Sequence, residues 1–111
     1  MKISIATSVY NQEKYIGTFL DAAVKIADEI IIVDHFSTDL TEEICMAYEQ
    51  VKFFRKKAQS ADIIRKWSIG LCTGDLNIFL DILDFNDDIA HREMMSLCSV
   101  SHSLKAARSV F

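Results

Sequence analysis

The stretch Ala27-Asp28-Glu29-Ile30-Ile31-Ile32-Val33-Asp34-His35-Phe36-Ser37-Thr38-Asp39 decides how this chain folds. Ile30 to Val33 are four β-branched residues in succession with no polar alternation. A strand buried on both faces of a parallel sheet reads this way, because helices cover it from either side. Asp34 follows, then a short polar loop, then a helix start. There Asp39 is expected to accept the first free backbone N–H groups, with Glu42 three residues on. Polar groups are thus carried to the carboxyl end of a buried strand, which is where ligands bind in open α/β sheets.

Working outward, Lys2 to Thr7 reads as a first strand that ends in the polar turn Ser8-Val9-Tyr10-Asn11. Asn11 is expected to cap the next helix. From Lys14 to Ile26, Ile16, Leu20, Ala23 and Ala27 recur at helical spacing, and Phe19 and Val24 widen the apolar face. The helix opened by Asp39 should turn Ile44, Ala47 and Tyr48 inward and end near Glu49. Val51 to Phe54 is a third strand. Ser60 starts another helix whose apolar face is Ile63, Ile64, Trp67 and Leu71, with Gly74 as its left-handed stop. Leu76 to Leu80 is a fourth strand. Strand and helix alternate throughout, so the expected fold is a mostly parallel α/β sheet flanked by helices. Asp81, Asp84, Asp87 and Asp88 then crowd a second acidic loop at the same sheet edge. Beyond Ile89 the pattern weakens. Met94, Met95, Leu97 and Cys98 suggest one helix, and the tail from Ser99 to Phe111 has little periodicity.

With 111 residues the chain is one domain at most, large enough to bury a core. A net charge of −4 argues against a nucleic-acid-binding surface. No apolar run is long enough to span a bilayer. The opening residues read as a strand and not as a signal peptide, because Glu13 and Lys14 interrupt them. Cys45, Cys72 and Cys98 are odd in number and lack Cys-x-x-Cys spacing, which fits reduced thiols in a cytoplasmic protein.

With three glycines the chain holds neither Gly-x-Gly-x-x-Gly nor the phosphate-loop pattern, which disfavours dinucleotide and P-loop enzymes. Carboxylates after a strand suit a hard cation such as magnesium or manganese, which in turn holds a diphosphate. Asp81 and Asp84 are the candidates. A solvated turn with a helix cap explains the same residues, and spacing leaves both readings open.

Three blocks resemble the amino-terminal half of family-2 glycosyltransferases of the GT-A fold: Ile5 to Ile16 in its Ala-Thr-Ser-Val-Tyr-Asn-Gln-Glu-Lys-Tyr core, Asp28 to Asp39, and Cys72 to Asp81. The resemblance covers about Lys2 to Asp88, and the middle block is closest to the branch that builds lipopolysaccharide core. It implies a nucleotide-sugar-binding region over 1–88 and a helical tail over 89–111 that lacks the acceptor half and its catalytic base. By the same resemblance, Thr7, Ser8, Val9 and Tyr10 would pack against the base, and Asp34 would contact base and ribose. The second carboxylate of that pair is replaced by His35, which leaves the nucleotide open. Arg65 would face the nucleotide or diphosphate. Asp81 matches the first carboxylate of the Asp-x-Asp metal motif, but Leu83 occupies the position of the next, so Asp84 would have to substitute.

Each residue also has a plainer reading. Tyr10 could fill core, His35 and Arg65 could be surface residues, and Ser37, Thr38 and Asp39 could simply cap a helix. The resemblance implies a nucleotide-diphosphate sugar as donor, a glycan or lipid-linked acceptor, and a place in the cytoplasm or at the inner membrane face. Arg55, Lys56 and Lys57 are too few for an interfacial patch of their own. The alternative is a truncated or degenerate module without turnover that acts in binding or assembly, with a homodimer covering whatever edge the missing half exposes.

Overall fold

The computed structural model describes residues 1–57 and 59–82. Leu83, Asp84, Asp87, Asp88, Cys98 and the expected tail lie outside the described residues. The elements run β1 (Ile3–Val9), α1 (Ile16–Ala23), β2 (Glu29–Asp34), α2 (Thr41–Met46), β3 (Val51–Arg55), α3 (Ala61–Leu71) and β4 (Leu76–Phe79). All pairings are parallel and the strand order is β3-β2-β1-β4.

Strand alternation explains the unbroken apolar run. Ile30 and Ile32 join Ile5 and Val9 under α1 and α2, packed on Ile16, Phe19, Leu20 and Cys45. Ile31 and Val33 join Ala6 on the opposite face, under Trp67 and Leu71 of α3. Every residue of β2 is buried. The chain moves outward from β1 to β3 with α1 and α2 on one face, then returns across the sheet to β4 with α3 on the other. Because crossovers are right-handed, reversing direction requires changing face. The reversal leaves the carboxyl ends of β1 and β4 flanking a topological switch point.

The amino end of the sheet is fastened by one buried carboxylate. Glu29 is 2% exposed. It accepts from the Ser4 hydroxyl at 2.6 Å, from Lys52 Nζ at 2.6 Å and from the Thr73 backbone N–H at 2.9 Å. Burial pushes this carboxyl up, but Lys52, Ser4 and Thr73 together outweigh it and hold it down at about 2. The group joins β1, β2, β3 and the turn into β4.

Several local expectations change. Ser60 caps α3 as expected, accepting from the Ile63 N–H, but Ile63 itself is exposed while Ile64 and Ser68 are buried. Asn11 caps no helix. α1 begins at Ile16 without a side-chain cap, and Asn11 bonds the neighbouring loop instead. In α2, Thr41 and Cys45 are the buried positions and Ala47 is exposed. Glu42 pairs with Arg55 and not with the helix start. Gly74 is not left-handed, since no described glycine has positive φ. It is needed for close approach: a Cβ there would lie 2.6 Å from Ser4 Oγ and 2.8 Å from the Lys2 carbonyl oxygen.

Candidate functional site

The cleft at the carboxyl edge is built from the ends of three strands and the start of one helix. In β1 the α3-facing register is Ser4, Ala6 and Ser8, so Ser8 emerges on that side as the strand ends. His35 follows β2 on the same side, and its backbone N–H donates to the Val9 carbonyl at 2.9 Å. From β4, the Leu80 N–H donates to the Ala6 carbonyl at 2.9 Å, which extends the pairing past Phe79 and brings Asp81 to the rim. α3 supplies the remaining wall. Ser8, His35, Ile64, Arg65, Phe79 and Asp81 line a cleft of about 190 Å³, with Gln59 and Ala61 at the helix start.

Its chemistry is mixed. The Arg65 guanidinium lies 5.4 Å from the centre of the Phe79 ring, held over an aromatic face and permanently charged. Asp81 is exposed and supplies an acceptor. The His35 Nδ1 lies 2.9 Å from the Lys56 carbonyl oxygen. A carbonyl only accepts, so Nδ1 carries the hydrogen and Nε2 holds the lone pair when the ring is neutral.

The structure separates the residues expected at this site. Ser8, His35, Arg65 and Asp81 share the cleft. Thr7, Val9 and Asp34 do not line it, because alternation turns them to the face of α1 and α2. Val9 is core. Thr7 is buried, and its hydroxyl has no hydrogen-bond partner among the described residues. Asp34 is fully buried and accepts from the Ser37 hydroxyl and, at 2.9 Å, from the Ser37 N–H. Burial, with the Asp34 charge adding to it, raises the Cys45 thiol to about 12, so that cysteine is an inert core residue. Tyr10 stands at the edge, 54% exposed.

The loops after β1 and β2 are stitched together. The Asn11 N–H donates to Ser37 Oγ and the Thr38 N–H donates to Asn11 Oδ1, both at 2.8 Å. The Gln12 N–H donates to Thr41 Oγ1 at 2.9 Å, and the Glu13 N–H to Asp39 Oδ2 at 3.1 Å. Asp39 also accepts from the Thr41 N–H at 2.9 Å. Its carboxyl is lowered: burial raises it, but the Thr41 and Glu13 donors prevail. Asn11 and Phe36 both adopt positive φ, 50° and 61°. Asparagine tolerates that region, whereas a bulky residue held there costs about 1 kcal/mol or more.

Reasoning from sequence did not include Gln59, Ala61, Ile64 or Phe79 in the wall. The Ser60 cap was the available signal, since it fixes which residues occupy the first turns of α3. The strain at Phe36 had no signal in sequence.

Among the described residues no three His, Cys, Asp or Glu side chains come together as a cation cage. Asp81 contributes one carboxylate among the described residues, and Asp84, the other candidate, lies outside them.

A parallel sheet ordered β3-β2-β1-β4 with a polar cleft at its switch point defines a Rossmann-like half-domain of the GT-A type. The family model for glycosyl transferase family 2 matches residues 4–93, and the chain belongs to that family. No curated protein matches it. Among solved structures, the chain is similar to glucosyl-3-phosphoglycerate synthase from Mycobacterium tuberculosis in complex with phosphoglyceric acid. The identity is 24% and the TM-score 0.58, over 72% of this chain and 32% of that one. A second structure, of a mycobacterial protein, matches with the same identity and TM-score over 72% of this chain and 30% of its own. These likenesses are of fold. The chain spans about a third of the length of the structures it matches.

Proposed function

We propose that residues 1–88 form the nucleotide-sugar-binding region of a glycosyltransferase. The observation that carries this reading is the convergence of Ser8, His35, Arg65 and Asp81 on one cleft at the switch point. Arg65 meets the diphosphate, where a fixed cation opposes the charge that builds on the leaving group. Ser8 and His35 offer hydrogen-bonding groups to the nucleoside. Tyr10 flanks the base from the rim, and Asp34, Thr7 and Val9 hold the loops and strand that carry these groups. In the full reaction an acceptor hydroxyl displaces the nucleoside diphosphate from the anomeric carbon and loses its proton to a base. That base belongs to an acceptor region outside 1–88. The acceptor is a glycan or a lipid-linked saccharide.

A magnesium or manganese ion would be held by Asp81 with Asp84, and would supply charge to the leaving diphosphate. No described helix is long and apolar enough to cross a membrane. We place the protein in the cytoplasm, with peripheral contact at the inner membrane face during transfer.

Ligand-observed NMR with UDP- and GDP-sugars, with and without manganese, tests the reading. Saturation transfer to at least one of them is expected, and silence from all of them refutes it. Leu83 at the second metal position favours a further reading, a binding or assembly module without turnover. Sugar transfer by the purified 111-residue chain would exclude that module. If a homodimer covers the outer edge of β4, sedimentation will show a concentration-dependent dimer; a monomer throughout removes it.

A further inference from the structure

Phe36 is a residue whose conformation the packing of the fold does not account for. Its φ is 61°, a left-handed setting that a bulky residue adopts only when its surroundings impose it. Its side chain lies in the open, the residue being 56% exposed, so burial in the core does not recover the cost. The surroundings impose it from both sides. Before it, His35 is fastened through its N–H to Val9 and through its ring to Lys56. After it, Ser37 is held by the Asp34 carboxylate and by the Asn11 N–H. Phe36 therefore sits on a rigid loop, directly after a residue that lines the cleft. Tyr10, also more than half exposed, follows Val9, the register partner of Asp34.

We propose that Phe36 is a ligand-binding residue, an aromatic wall at the mouth of the cleft that stacks on a flat apolar face of the nucleotide sugar. Stacking gains most when the ring is already fixed in place, and the strained, doubly anchored loop supplies that preorganisation. The face belongs either to the base or to the sugar ring. The inference rests on the donor-site reading above.

Phe36→Asn tests it, because asparagine keeps the left-handed backbone while removing the ring. Melting temperature and affinity are measured on the 111-residue chain with UDP-glucose, GDP-mannose, UDP, GDP and glucose-1-phosphate. The melting temperature is expected to hold or rise, while affinity falls roughly tenfold, the scale of one lost ring stack. Equal loss for a nucleotide and its sugar conjugate assigns the ring to the base. Loss for the sugar-bearing ligands alone assigns it to the sugar, and either result supports the proposal. Phe36→Trp should preserve binding. Unchanged affinity in Phe36→Asn overturns the inference alone, as does a clear drop in melting temperature, which would make Phe36 a packing residue. Failure of the unmodified chain to bind any of the five ligands overturns the inference together with the donor-site reading.

Discussion

Arg65 carries the permanent positive charge of the cleft, and its removal should be felt in binding more than in folding. It lies on an 11-residue helix whose buried positions are Ile64 and Ser68, so the core does not depend on it. Arg65→Ala is expected to weaken nucleotide-sugar binding by about ten- to a hundredfold, the usual worth of a hydrogen bond to a charged group. Titration calorimetry with unchanged circular dichroism would check it. Arg65→Lys should recover only part, because an ammonium lacks the planar fork. At this scale sequence was informative about charge and uninformative about direction. The run Thr7-Ser8-Val9 looks like one contiguous contact surface, yet alternation sends Ser8 to the cleft and its neighbours to the opposite face. Asp34 reads as a ligand contact, and both of its carboxylate oxygens accept from Ser37, an arrangement that becomes visible only when the turn is built.

Elements were legible where burial dictates the residue type. Ile30 to Val33 specified a central strand with helices on both faces, and Ser60 specified where α3 begins. Helix ends and glycine roles were not, because they depend on contacts distant in sequence. Gly74 meets Ser4 and Lys2 across the sheet. Gly74→Ala should therefore force the turn into β4 away from β1 and destabilise by about 1–3 kcal/mol, the range seen for overpacking. Urea unfolding would measure it as a lower midpoint at unchanged slope. Asn11→Ala keeps the backbone N–H bond to Ser37 but removes the Oδ1 that accepts from the Thr38 N–H, and it places alanine at φ 50°. A loss of about 2 kcal/mol is expected, summing one net hydrogen bond and the left-handed penalty, with faster amide exchange at Thr38.

For the molecule as a whole, the buried Glu29 sets an acid limit. Its folded value of about 2 lies below the 4.5 of an ordinary glutamate. The folded state therefore binds its proton less readily than the unfolded chain does. The contribution is fully present above about 4.5 and is lost as pH falls from there through about 2. Its size is on the order of 2 kcal/mol, moderated because Lys52 is half exposed to solvent. Glu29→Gln should lower stability at pH 7 and flatten the dependence of the urea midpoint on pH between 5 and 3. An unaltered pH profile in that variant would place the acid sensitivity elsewhere.

The stitching of the two loops has a further consequence for how such a chain changes over generations. Asn11 is fastened to Ser37 and Thr38, and Glu13 to Asp39 and Leu40. A lengthened or altered segment after β1 thus loses its moorings unless the segment after β2 changes with it. The two stretches are therefore expected to change as a matched pair, and a graft that transplants one without the other should arrive in the wrong shape.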